Sequence, residues 1–240
     1  MATSELMFFR HSPAIRQDYP ELAAVAVHVS GVGKDADVEP LIARFTRIAE
    51  ERLAGATEAE FPEIRAWRRA FSRMGLKPTQ YRCAAEALLR RYRKEGVLPR
   101  IHPLIDLCNA ASLAYAIPVA VLDVTRIDEG IEVRYARGDE EYLTFAGDVE
   151  NPAAGEVVFA DTGGRAHARR WTNRQSGYSA VGDTTADALI VAEAMHETGP
   201  EDIERLLAAL TEALTAAWPG CSPQSAVLTR SSPQFTWKRR

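Results

Sequence analysis

Pro118–Val119–Ala120–Val121–Leu122–Asp123 divides the chain. The run is nearly all apolar, as a strand covered on both faces is. Before it, apolar residues recur at helical spacing; after it they fall in short runs of β type. Upstream, residues 104–115 read as a helix with Pro103 in its first turn and Leu104, Leu107, Ala111 and Leu113 facing inward. Asn109 and Ser112, three apart, share one face of it. Farther back, residues 78–94, 61–74 and 38–53 carry three more helical stripes, and residues 22–30 read as a buried strand ended by Gly31.

Downstream, residues 131–135 alternate like a half-buried strand, and residues 141–145 are expected to pair with it across a water-facing turn at 137–140. Residues 157–160 and 165–171 form a second hairpin around Gly163–Gly164, followed by a polar loop over 172–182. Thr184 and Asp187 resemble a capping box, so residues 184–196 are expected to be helical. Ile203, Leu206, Leu207, Leu210 and Leu214 mark a clear helix after Pro200, and residues 225–229 can add an edge strand. The pattern predicts an α+β domain over 20–217 with a helix-rich first half. It sets apart an N-terminal extension over 1–19 and a tail over 218–240 that frays at 238–240.

Composition narrows the function. The 240 residues are 46% hydrophobic and 26% charged, enough for a core without disulfides or a structural metal. The net charge of −4 argues against duplex binding by bulk charge. Two local clusters stand out against it: Arg90, Arg91, Arg93, Lys94 and Arg100, and then Arg165, Arg169, Arg170 and Arg174. Either can be a solvated face. Cys83, Cys108 and Cys221 form no CxxC pair and no zinc spacing, and an odd count suits a reducing, cytoplasmic setting. The first ten residues lack a signal-peptide pattern, and no run of about 18 apolar residues predicts a membrane span.

Four familiar patterns fail. Gly31–Val32–Gly33–Lys34 lacks the phosphate-loop spacing and is followed by Asp35. His196–Glu197 lacks the second histidine of a zinc hydrolase, since position 200 is Pro. Cys108 sits on the apolar face of its helix, which disfavours a Cys108–His102 nucleophile. Asp139 and Glu140 suit a turn facing water better than acid–base work. What survives is Arg169–Arg170–Trp171–Thr172–Asn173–Arg174–Gln175–Ser176–Gly177, where a fork of guanidinium donors, two amides and an aromatic ring crowd a strand end. A pocket over a cavity and a solvated turn anchored by Trp171 both fit that composition. The expected pocket lies where this segment meets the one around Asn109.

Ile101–His102–Pro103–Leu104–Ile105–Asp106–Leu107–Cys108–Asn109, with Pro118–Val119–Ala120–Val121–Leu122–Asp123 and Gly130–Ile131–Glu132–Val133–Arg134, resembles the B3/B4 domain of the bacterial phenylalanyl-tRNA synthetase beta subunit. Pro78–Thr79–Gln80–Tyr81–Arg82, Glu86–Ala87–Leu88–Leu89–Arg90–Arg91 and Arg170–Trp171–Thr172–Asn173–Arg174–Gln175 are more similar still to freestanding B3/B4-domain proteins. The pattern runs from about residue 20 to about 215.

The resemblance implies a central, mostly antiparallel sheet with helices packed around it. It also implies trans-editing: hydrolysis of the ester of a misacylated aminoacyl-tRNA, without metal or cofactor, with transient contact to a synthetase. Under that reading Arg174, Gln175 and Ser176 serve the chemistry. Asn109, Ser112, Asn173 and His102 hold the amino-acid end, and Arg90, Arg91, Arg93, Lys94 and Arg100 meet the tRNA. His102, ahead of Pro103, equally suits a helix cap. One departure matters: Ala120 stands where the synthetase carries a His linked with editing. A noncatalytic tRNA-binding or synthetase-associated module, and an enzyme or binder for a small amino-acid-like ligand, are the alternatives. Turnover of misacylated tRNA separates the first from the second, and activity without tRNA marks the third. No heptad or apolar stripe declares an oligomer.

Overall fold

Four helices in a row and then eight strands carry the two halves of the sequence pattern into the fold. The computed structural model describes residues 6–239. They open with β1 (Leu6–His11), α1 (Pro13–Asp18) and β2 (Ala23–Ser30), followed by α2 (Glu39–Gly55), α3 (Pro62–Arg73), α4 (Ala84–Glu95) and α5 (Pro103–Tyr115). Next come β3 (Val119–Asp123), β4 (Gly130–Tyr135), β5 (Tyr142–Leu143), β6 (Val149–Glu150), β7 (Val157–Ala160), β8 (Ala166–Arg169), β9 (Arg174–Gln175) and β10 (Asp187–Ala194). The chain closes with α6 (Gly199–Ala217), β11 (Gln224–Leu228) and β12 (Gln234–Lys238).

The strands form an α+β fold with two principal sheets. One runs β12-β1-β4-β7-β8-β9, antiparallel except for the parallel β1–β4 pair; the other runs β11-β2-β10-β3, antiparallel throughout. A small β5–β6 ribbon stands apart. β2 is buried at every position and β10 at every position after its first, because helices cover one face of their sheet and the six-stranded sheet covers the other.

Local chemistry explains the helix ends. Pro62 and Pro103 take the first turns of α3 and α5, where a missing N–H costs nothing. His102 caps α5 by accepting the Leu104 N–H on Nδ1 at 3.2 Å, while Asp106 accepts the Ile101 N–H at 2.9 Å. Gly96 ends α4 with φ 71°, a left-handed turn that glycine enters without a Cβ clash.

Several expectations change. Residues 184–196 are not a helix: β10 pairs with β2 on one side and β3 on the other, and that double ladder overrides the helix-forming Ala and Glu residues. Residues 78–83 precede α4 rather than belonging to it. The Gln80 and Tyr81 N–H groups fold back on the Lys77 carbonyl. The Arg82 carbonyl and Ala84 N–H bond across to residues 173 and 172. Residues 141–145 do not pair with β4, whose neighbours are β1 and β7; Tyr142 and Leu143 pair with β6 instead. Glu140, expected in water, is fully buried. β1 and β12, which lie in the N-terminal and C-terminal segments set apart by the sequence reading, pair with each other at the edge of the larger sheet; Lys238 faces Leu6, and Arg240 lies outside the described residues.

Candidate active site: a cleft between the two sheets

The β8–β9 hairpin is where the dense polar segment becomes geometry. Arg170 and Trp171 both adopt left-handed backbone, at φ 47° and 57°. For residues with a Cβ this costs about 1–2 kcal/mol each. The surroundings hold them there. Glu156 Oε1 accepts the Arg170 N–H at 3.0 Å, and the Val157 carbonyl accepts the Trp171 N–H at 2.8 Å. The Trp171 ring is completely buried, edge-on to Tyr19 at 4.8 Å and to Trp67 at 5.3 Å. Asn173 Nδ2 donates to the Arg82 carbonyl at 2.7 Å, pinning the hairpin to the segment before α4. Strain stored this way is common where a chain must aim side chains at a ligand.

The aimed side chains border a small cleft that is partly open to solvent. Its walls are apolar: Val119 and Ala120 from β3, Phe159 from β7, Ala168 from β8 and Val191 from β10. Asn173, Arg174 and Gln175 supply the polar rim, and Glu193 the one acid. Arg174 is exposed and has no acidic partner among the described residues. Gln175 Nε2 donates to the Val121 carbonyl at 2.7 Å, tying the edge of one sheet to the edge of the other and fixing its amide at the cleft. Ala120, at the position where the resemblance places a synthetase histidine, lines the wall.

Glu193 lies beneath. It is 2% exposed, and its Oε1 accepts Trp171 Nε1–H at 3.0 Å and meets His11 Nε2 at 2.6 Å. Behind His11, Arg16 Nη2 stands 3.1 Å from Nδ1. A guanidinium can only donate, so Nδ1 accepts and Nε2 carries the proton given to Glu193. Burial pushes the His11 pKa down, against the pull of Glu193 and with help from Arg16, which suits this neutral tautomer. Sequence reading passed over Glu193, having placed it in a helix. The available signal was a lone acid inside the otherwise apolar run from Ala188 to Met195.

The cleft thus brings Asn173, Arg174 and Gln175 together and leaves the other sequence candidates outside. Asn109 is half-buried on α5 and does not line it. Ser112 is buried and donates to the Ile117 carbonyl at 2.6 Å, closing the end of α5. His102 is the α5 cap. Ser176 Oγ turns toward β5, donating to the Leu143 carbonyl at 3.0 Å and accepting the Leu143 and Tyr178 N–H groups.

The basic residues are largely neutralised. Arg90 and Arg93 converge on buried Glu58, Arg91 pairs with Glu95 and Arg100 with Glu39; of the five, Lys94 has no acidic partner among the described residues. Arg169 is spent on Glu156 and Glu150. Arg170 lies over the Tyr81 ring, its guanidinium carbon 4.8 Å from the centroid. Burial pushes the Cys83 and Cys108 thiols up to about 12, leaving neither as a nucleophile. One donor atom each from Glu63, His196 and Asp202 lies within 4.8 Å of the others. That group could hold a metal, although each carboxylate already carries an arginine, Arg52 on Glu63 and Arg205 on Asp202.

Comparison with known proteins puts this arrangement in context. The B3/4 domain family matches residues 66–227. The phenylalanine–tRNA ligase beta subunit of Coxiella burnetii is 41% identical over 54 residues, 22% of this chain and 7% of that one. An N-terminal fragment of the phenylalanyl-tRNA synthetase beta-subunit from Pyrococcus horikoshii matches with a TM-score of 0.50 at 10% identity, over 97% of this chain and 54% of the fragment. At that identity the likeness is one of fold. The chain spans about half of the fragment and a small part of the ligase subunit.

Proposed function

The chain belongs to the B3/4 domain family, and from that premise we propose that it hydrolyses, in trans, the ester joining a wrong amino acid to the end of a tRNA. Family membership and the likeness to phenylalanine–tRNA ligase beta subunits support a role with tRNA. The observation that carries the finer reading is the Arg174 guanidinium, without an acidic partner among the described residues, and the fixed Gln175 amide on the lip of an apolar-walled cleft. Such a cleft accepts a small side chain and leaves its ester at the rim.

Ester hydrolysis needs a placed water, charge stabilisation at the carbonyl oxygen and a proton for the departing ribose oxygen. Arg174 anchors the terminal phosphate or the developing oxyanion, since its fork of donors suits either. Asn173 and Gln175 orient the ester, and the neighbouring ribose hydroxyl relays a proton. Ser176, Asn109, Ser112 and His102 have no part in this version, because their side chains do not border the cleft. The partner is aminoacyl-tRNA released by a synthetase, met in the cytoplasm. No helix among the described residues is long and apolar enough to cross a membrane.

The test is a deacylation screen over tRNAs carrying cognate and near-cognate amino acids. The proposal expects one mischarged class to be hydrolysed at catalytic protein concentrations and the cognate classes to survive. Binding without turnover for every member would instead favour a noncatalytic module. The alanine at position 120 and the inward-turned Ser176 speak for that second reading.

A further inference from the structure

We propose that Glu63, His196 and Asp202 hold a zinc ion that ties α3 to the end of β10 and the start of α6, apart from the cleft. Glu63 lies in the first turn of α3, His196 just beyond β10, and Asp202 in the first turn of α6. The three side chains come from different elements, yet one donor atom of each lies within 4.8 Å of the other two. None of the three borders the cleft.

Two of these side chains are more than nine-tenths buried, Glu63 at 7% exposure and His196 at 4%. Each keeps a polar atom with no hydrogen-bond partner among the described residues, Glu63 Oε2 and His196 Nδ1. Asp202 Oδ2 stands 2.8 Å from His196 Nε2 and can only accept, so Nε2 carries the ring proton and Nδ1 a bare lone pair. Both orphans are therefore acceptors. Buried acceptors without a donor destabilise a fold, and a cation satisfies them where another acceptor cannot. The arginines leave room for it. Arg52 takes only Glu63 Oε1, at 2.7 Å, and Arg205 takes only Asp202 Oδ1. Arg205 is 66% exposed, so it can swing into water as the charge of an ion arrives.

The donor set chooses the metal. One imidazole and two carboxylates suit zinc, with water completing four-fold coordination. The neutral ring has two nitrogens and one proton, so one nitrogen is always available as a ligand. Zinc–ligand distances of about 2.0–2.2 Å put neighbouring ligand atoms about 3.3 Å apart, so the cluster has only to tighten. Entry is from the Asp202 side, whose side chain is 15% exposed. The ion acts as a brace. Trp67, one turn beyond Glu63 on α3, packs edge-on to Trp171 at 5.3 Å, so zinc on Glu63 steadies the helix that backs the strained hairpin.

The experiment titrates the full chain, treated with EDTA and returned to metal-free buffer, with zinc chloride by calorimetry, and uses cobalt(II) as a spectroscopic stand-in. One zinc per chain is expected, together with a thermal midpoint that rises with zinc but not with magnesium. The cobalt complex should show the intense visible bands of a four-coordinate ion. Glu63→Gln keeps an oxygen for Arg52 but loses the charge, and should weaken zinc binding about tenfold or more. Cys221→Ser, which removes the partly exposed thiol, should leave it unchanged. If Glu63→Gln does not fold, Asp202→Asn, at the more exposed side of the site, is measured in its place with the same loss expected. The wild-type cobalt spectrum decides if neither variant folds, since the pale spectrum of a six-coordinate ion overturns the site. A folded wild-type chain that takes up no zinc overturns it too, as does zinc binding that survives in the folded variant or disappears with Cys221→Ser. Each of these results leaves the deacylase reading as it stands.

Discussion

Replacing Glu140 with Gln should cost about 3 kcal/mol at neutral pH, and nearly all of that cost should disappear in acid. Glu140 is fully buried. Its carboxylate accepts the Arg137 N–H at 3.0 Å on each oxygen, the Gly138 N–H at 3.1 Å and a guanidinium N–H from Arg134. Burial by itself would raise the pKa, but these donors outweigh it and hold the group at about 2 against an ordinary 4.5. The gap of about 2.5 units, at about 1.36 kcal/mol per unit, amounts to about 3 kcal/mol. Because the folded pKa lies below the unfolded one, this stability is complete above about pH 4.5 and fades as pH falls toward 2.

Urea denaturation of wild type and Glu140→Gln at pH 7 and about pH 3 measures the effect; less than half of the difference should remain at the lower pH. A difference under about 1 kcal/mol at pH 7, or one equal at both pH values, refutes the reasoning. The site should register the change too. Tyr142, two residues on, donates its hydroxyl to the Gln175 carbonyl at 2.8 Å, and Leu143 holds Ser176.

Arg174→Ala should slow deacylation by about a hundred- to a thousand-fold, the usual loss for one transition-state donor, and a single-turnover change below threefold removes Arg174 from the chemistry. Arg93→Glu should destabilise the fold by about 2 kcal/mol in thermal or urea melts, because it replaces one of the two arginines on buried Glu58 with a second acid and leaves Arg90 alone to compensate. Arg91→Glu with Lys94→Glu avoids that cost and is the cleaner probe of this face; weaker, less salt-sensitive tRNA binding is expected if the face contacts tRNA. His102→Ala should cost about 1 kcal/mol through the lost α5 cap, read from the urea midpoint.

The helices were legible wherever a stripe coincided with its stop signals: Pro62 and Gly75 bracket α3, and Pro103 opens α5. β10 was not, because a strand buried on both faces carries no period-2 signal, and Ala188, Ala192, Glu193 and Ala194 are good helix formers. Only the ladders to β2 and β3 decide it. β1 and β12 escaped for a related reason, since each is defined by a partner more than two hundred residues away. At the site, Asn173, Arg174 and Gln175 could be read from their chemistry crowded at one strand end. Ser112 and Ser176 could not be placed, since a hydroxyl's direction follows from packing rather than spacing. Glu193 was hidden by the misread of β10, and its tie to His11 spans 182 residues.

The most direct test of the account is a structure of the protein with a nonhydrolysable, amide-linked aminoacyl-adenosine. The account predicts the aminoacyl group in the cleft against Ala120, Phe159 and Val191, its carbonyl beside Gln175 and the adenosine at Arg174. Density seated instead along the exposed face of α4, by Arg90 and Lys94, with the cleft vacant, would contradict it.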